Sequence, residues 1–167
     1  MSGSRHIRVS ESDASRNPAA DPSATEVVIN ALVVGTMLGE RMDSVLRPFG
    51  LSVGSFNLLT IVAGADEPLT PTEIADRSLT KVTTATVTGL LDTCQRKGLI
   101  RRSPHPSDKR MVLVGLTPAG RALLGEVTAE VAAAEQRWVG PLSESRRAGL
   151  LRGLGDLRQA LEDDASE

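Results

Sequence analysis

The sequence predicts a mainly α-helical (α+β) protein in which one short β-hairpin interrupts a run of helices. Three observations carry this. Apolar residues recur at helical spacing over most of the chain beyond residue 24. Helix-start signals stand at Ser52, Thr70-Pro71-Thr72-Glu73, Thr117-Pro118 and Ser143. One strand-like pair, Leu99-Ile100-Arg101-Arg102 and Met111-Val112-Leu113-Val114, flanks a turn-rich basic tip running from Pro104 to Arg110.

The elements follow in order. Residues 1–23 are rich in Ser, Pro, Asp and Arg and are expected to be disordered, since they carry too little apolar surface to offset chain entropy. Residues 24–47 read as a long helix through Val27, Val28, Ala31, Leu32, Val34, Leu38, Met42, Val45 and Leu46. Its first half is apolar on most sides and needs cover on most sides, which in a chain of 167 residues points to a partner subunit. Pro48 and Gly50 end it. Ser52 caps a second helix, 53–64, with Phe56, Leu59 and Ile61 or Val62 inward. The strong start at Thr70 opens a short third helix, 71–77, packed through Ile74 and Ala75.

A polar joint, Ser78 to Thr80, leads to a fourth helix, 83–97. Val87, Leu90, Leu91 and Cys94 form its core stripe, and Gly98 closes it. Its other side, Thr84, Thr86, Thr88 and Gly89, is small and polar, where Lys and Glu would better serve a plain surface helix. After the hairpin, Pro118 opens a fifth helix to about Val139, with Leu123, Leu124, Val127, Val131 and Ala134 on one side. Ser143 caps a sixth with a stripe of Leu150, Leu151, Leu154, Leu157 and Leu161.

Helices three and four so placed make a helix-turn-helix, and the hairpin behind them makes a wing. The predicted organisation is an N-terminal tail (1–23), an N-terminal dimerisation helix (24–50), a winged helix-turn-helix domain (51–116), C-terminal dimerisation helices (117–162) and a short tail (163–167). Val28, Leu32, Leu150, Leu154 and Leu157 are the expected dimer contacts, because doubling these stripes across a two-fold axis covers their excess apolar surface.

Composition narrows the function classes. Net charge is −2, yet Arg96, Lys97, Arg101, Arg102, Lys109, Arg110 and Arg121 crowd residues 96–121 with Asp108 as the single acid there. A basic patch on an otherwise acidic chain suits a phosphate-binding face; a solvated charge run is the plainer alternative. The longest apolar run, Val27 to Leu38, is too short for a membrane helix and is broken by Asn30, Gly35 and Thr36. Arg5 and Arg8 are not followed by the apolar stretch of a signal peptide. One cysteine excludes an intramolecular disulfide and fits a reducing, cytoplasmic setting. Cys94 lies on the apolar stripe and reads as core, not as a reactive thiol. No nucleophile elbow, P-loop, dinucleotide fingerprint or zinc motif is present, so neither catalysis nor a metal or other cofactor is expected.

A major groove about 12 Å wide admits one helix, whose N-terminal side chains reach base edges. Lys81, Thr83, Thr84, Thr86 and Thr88 are the candidates here. With no Arg or Asn in the first two turns, bidentate reading of guanine is weak and shape readout gains weight. The wing candidates are Arg102, His105, Ser107, Asp108, Lys109 and Arg110. Arg110 suits a narrow minor groove, being planar, weakly hydrated and always charged. Asp108 is expected to orient an arginine instead of meeting DNA.

These residues also carry a resemblance. Thr86-Val87-Thr88-Gly89-Leu90-Leu91-Asp92, with Arg96-Lys97-Gly98-Leu99-Ile100, resembles the recognition helix of MarR-type transcriptional regulators. Arg102 to Arg110, then Leu116-Thr117-Pro118-Ala119-Gly120-Arg121, resembles their wing and fifth helix. Leu69 to Ala75 resembles their third-helix start, and the likeness spans about 24–162. It implies an obligate homodimer joined by its terminal helices that grips a pseudo-palindromic double-stranded operator. It further implies a repressor released when a small-molecule effector, often aromatic or phenolic, enters a pocket between the dimer helices and the reading head. Two residues and one joint depart from the pattern. His105 stands where Asp is usual, Gly89 stands where Arg is common, and the joint before the fourth helix is about two residues longer. The longer joint leaves open which of Lys81, Thr83 and Thr84 leads into the groove. The competing reading is a winged-helix interaction protein that has lost DNA binding.

Overall fold

A computed structural model describes residues 6–10, 12, 16, 21–78, 82–108 and 110–165. Helix α1 spans Pro22–Leu46 and runs into a 3-10 turn at Arg47–Phe49. It starts two residues earlier than expected, because the Asp21 side chain accepts from the Ser23 N–H and Pro22 fits the first helical position. The segment just before it also departs from the expected disorder. The Asn30 carboxamide accepts from the Ile7 N–H and donates to the Ile7 carbonyl, both at 2.9 Å, and Glu26 accepts from the Val9 N–H at 2.9 Å. Residues 6–10 thus lie along α1.

Then follow α2 (Val53–Ala63), α3 (Pro71–Asp76), α4 (Thr84–Arg96), β1 (Ile100–Pro104), β2 (Val112–Leu116), α5 (Pro118–Val139) and α6 (Glu144–Asp164). The expected caps are all in place: Ser52, Thr70, Thr117 and Ser143 each accept a backbone N–H three residues on. At Thr70 the box is complete, since Glu73 reaches back to the Thr70 N–H at 2.7 Å. These hydrogen bonds hold the Glu73 carboxyl below its ordinary range.

The hairpin is antiparallel, with Ile100 opposite Leu116 and Pro104 opposite Val112. Both strands end two residues later than expected. The register is set at the open end, where the Thr117 N–H bonds the Leu99 carbonyl at 3.0 Å, and at the tip, where the His105 N–H bonds the Met111 carbonyl at 3.0 Å. Pro104 therefore closes a strand, where the sequence had placed it in the turn. Gly98, at φ 70, turns the chain from α4 into β1. A feature without a sequence signal adds to the sheet. Leu69 exchanges both backbone hydrogen bonds with Val114, at 3.1 and 2.8 Å, as a one-residue third strand.

The core belongs to the middle of the chain. Leu58, Leu59, Val62, Ile74, Val87, Leu91, Cys94, Val114 and Val127 are buried together. Gly120, in the first turn of α5, permits that helix to sit on the root of the wing, since a Cβ there would lie 2.0 Å from the Leu99 carbonyl oxygen. The terminal helices differ sharply. In α1 only Leu46 is buried, and in α6 nothing is. Leu32 is 66% exposed, Leu154 50% and Leu151 71%. By length and composition the helical stretch Pro22–Phe49 passes for a membrane-crossing helix, which the broken run Val27–Leu38 did not predict; the early helix start at Pro22 supplies the extra length.

Candidate nucleic-acid interface and ligand cavity

Helix α4 divides cleanly by side. Val87, Leu91 and Cys94 are buried, while Thr84, Thr86 and Thr88 are exposed. The capping residue Thr83 accepts from the Thr86 N–H at 3.2 Å, and its hydroxyl lies 3.0 Å from that of Thr86. The Thr88 hydroxyl donates to the Thr84 carbonyl at 2.8 Å. These internal bonds change what the face offers. A hydroxyl whose hydrogen is already given can only accept, so Thr88 suits an amino group of adenine or cytosine and not a phosphate oxygen. The methyl groups remain free to meet thymine methyls. Lys81 lies outside the described residues.

The wing is tied to α4 by an ion pair that sequence reading did not find. Arg102, half-buried in β1, places its guanidinium 2.7 Å from the Asp92 carboxylate. Arg102 was expected among the wing contacts; here it joins the middle of the wing's first strand to the back half of the reading helix. Spacing along the chain gives no sign of such a pair, because it forms only once β1 crosses α4.

At the tip, His105 Nδ1 accepts from the Ser107 N–H at 3.3 Å and lies 3.1 Å from the Ser107 hydroxyl. Asp108 was expected to orient an arginine; its Oδ1 accepts from the Arg110 backbone N–H at 2.9 Å, while its carbonyl accepts from the Met111 N–H at 2.9 Å. The turn is thereby fixed and the Arg110 side chain is left exposed. Among the described residues its guanidinium has no carboxylate partner. Lys109 lies outside the described residues. Of the expected dimer contacts, Val28, Leu32, Leu150 and Leu154 are exposed and Leu157 half-buried.

Behind α4 is a cavity of about 410 Å³, walled by α1, α2, α3, α4 and α5. Met42, Phe56, Ile74, Val87 and Leu90 give it a mostly apolar lining. Asn57, Thr60, Ser78 and Glu135 supply its polar groups. None of these was singled out in the sequence as a cavity residue, since five separate elements contribute. Cys94 is fully buried. Burial pushes its thiol pKa up, more than the Ser55 hydrogen bond and the Lys97 charge pull it down. It is core, as its place on the stripe predicted.

This arrangement can be compared with known proteins. A family profile described as MarR family matches residues 49–111. The HTH-type transcriptional repressor YetL of Bacillus subtilis (strain 168) is 32% identical over 146 residues, which cover 84% of each chain. The chain belongs to the MarR family of transcriptional regulators. Solved MarR-family structures share its shape. A mutant of Escherichia coli MarR complexed with operator DNA is 26% identical, with a TM-score of 0.70 over 83% of this chain and 99% of that one. CouR from Rhodococcus jostii RHA1, bound to p-coumaroyl-CoA, is 26% identical, with a TM-score of 0.63 over 77% of this chain and 85% of that one. The winged helix-turn-helix expected from the sequence is thus the MarR fold.

Proposed function

We propose that this MarR-family chain is a homodimeric, sequence-specific DNA-binding regulator, a repressor that a small ligand releases from its operator. One observation carries the reading. Helix α4, whose N-terminal half is exposed and polar on one side, is ion-paired through Asp92 in its back half to Arg102 of a hairpin at whose tip the Arg110 guanidinium has no carboxylate partner among the described residues. Thr83, Thr84, Thr86 and Thr88 would meet base edges in the major groove, with Lys81 beside them. Arg110 would enter the adjacent minor groove, with His105, Ser107 and Lys109 along the phosphates. Asp108 braces Arg110, and Arg102 holds the wing to the helix.

The second copy covers α1 and α6. Their exposed apolar residues are distributed over two helices at opposite ends of the chain, which suits a two-fold helical interface better than lipid around one helix. The dimer would place two reading helices on half-sites about one helical turn of DNA apart. The cavity is the effector site in this reading. Val87 and Leu90 line it from the back of α4, so a molecule wedged there shifts the helix whose front carries the threonines. No catalytic role is part of the reading. His105 stands on the turn at the wing tip, and the regulator would act beside the chromosome.

DNA binding is tested by anisotropy titration of the full chain with fragments flanking its own gene. Affinity should fall steeply as salt rises, because neutralised phosphates release counterions. Arg110→Ala should weaken binding about tenfold or more and lower the salt slope by about one, with the dimer intact. Absence of binding at low salt would favour an interaction protein, and unchanged affinity in Arg110→Ala would remove the wing assignment.

A further inference from the structure

We propose that the effector of this chain is a lipophilic cation, an apolar body bearing one ammonium-type charge, with Glu135 as its counter-ion. This rests on the reading of the cavity behind α4 as the effector site, and it follows from the charge of that cavity.

The cavity, about 410 Å³, is large enough for a ring with a short chain. Its walls are chiefly aliphatic, with Phe56 as an aromatic face. Two of the polar residues have already spent their hydrogens. The Thr60 hydroxyl donates to the Phe56 carbonyl at 3.0 Å and the Ser78 hydroxyl to the Ile74 carbonyl at 3.3 Å. That leaves the Asn57 amide and the Glu135 carboxylate to meet a ligand.

Among the described residues, Glu135 is the single ionisable residue in the lining. It is exposed at the mouth, and among the described residues no cation pairs with it. Among the described residues no Lys, Arg or His lines the cavity. A carboxylate or phenolate entering here would lose its water, find no positive partner among the described residues and face a like charge. A cation would bury its apolar body against Phe56, Leu90 and Val87 and leave its charge at the mouth beside Glu135. Desolvation there is partial, so the ion pair forms without the full penalty of a buried one. Phe56 adds a ring face able to attract a cation that reaches further in.

The probes are phenylbutylamine and phenylbutyrate, which share an apolar body and differ in the sign of the head group. Each is titrated into the full-length dimer near neutral pH by calorimetry and by the fluorescence of Trp138, the single tryptophan, one turn along α5 from Glu135. The amine should bind about tenfold or more tightly than the acid. Glu135→Gln, which keeps shape and removes charge, should bring the two within about threefold, and Glu135→Lys should reverse the order. The proposal falls if the acid binds as well as the amine, if neither binds, or if Glu135→Gln leaves the preference unchanged. Operator binding of the ligand-free protein is measured alongside. Loss of that activity with the amine preference intact would sink the regulator reading and leave the charge preference of the cavity standing.

Discussion

The reading head and the terminal helices are built by opposite strategies. From α2 to β2 the chain satisfies itself: caps are closed, the hairpin is bonded at both ends, and Leu59, Ile74, Leu91 and Val114 are fully enclosed. In α1 and α6 the caps are closed too, yet the apolar stripes stand in the open. Local signals are thus met equally in both regions, and burial is not. The head completes its core within one chain, whereas the frame, in the proposed dimer, is half of a core whose other half is a second copy.

The largest test of that contrast is a charge in the frame. Burying one leucine contributes about 2 kcal/mol, and two-fold symmetry counts each substitution twice. Leu154→Glu should therefore weaken the dimer by about 4 kcal/mol or more, roughly a thousandfold, in sedimentation equilibrium. Because an obligate dimer often lacks a stable monomer, thermal unfolding should also depend on protein concentration. A dimer of unchanged affinity would show that α6 is not the interface.

Next comes the joint between head and frame. Gly120→Ala would drive a methyl into the Leu99 backbone. That separation of α5 from the wing root should cost on the order of 3 kcal/mol in chemical denaturation. A loss below about 1 kcal/mol would mean the two regions are more loosely joined than the close approach implies.

The smallest test lies inside the head. Thr70→Ala removes a cap and should cost about 1 kcal/mol of stability, with dimer affinity unchanged. It also bears on acid sensitivity. Glu73 has its carboxyl pKa lowered by the Thr70 hydrogen bonds, so its contribution is present above the ordinary carboxylate range and fades as pH falls through the lowered value. Stability measured from neutral pH down to about 3 should show a shallower acid decline in Thr70→Ala.

What the sequence made legible follows the same divide between local and distant. Ser52, Thr70, Thr117 and Ser143 were readable as caps because a cap needs only three further residues. The stripe Val87, Leu91 and Cys94 was readable because helical period is local. The hairpin ends were misplaced, since they depend on Thr117 meeting Leu99. The single-residue strand at Leu69 has no alternation to detect. Asp92 as partner of Arg102, and Glu135 at the cavity mouth, arise only when distant elements cross. The segment at residues 6–10 looked too polar to order, and its placement rests on two α1 side chains, Asn30, which copies a backbone pairing with Ile7, and Glu26, which accepts from the Val9 N–H.

The bridge between Leu69 and Val114 has a mechanical meaning. Thr70, the residue that starts α3, is covalently next to Leu69, and Val114 sits in the middle of the wing's second strand. Arg102 fastens the other strand to α4. The hairpin is therefore clamped to both helices of the helix-turn-helix, and the three pieces travel as one lever. In the proposed complex, a push delivered to the back of α4 could not lift the helix from one groove while leaving Arg110 in the other. Each half-site should let go of both grooves in a single motion, which makes release switch-like where a loosely hung wing would make it gradual.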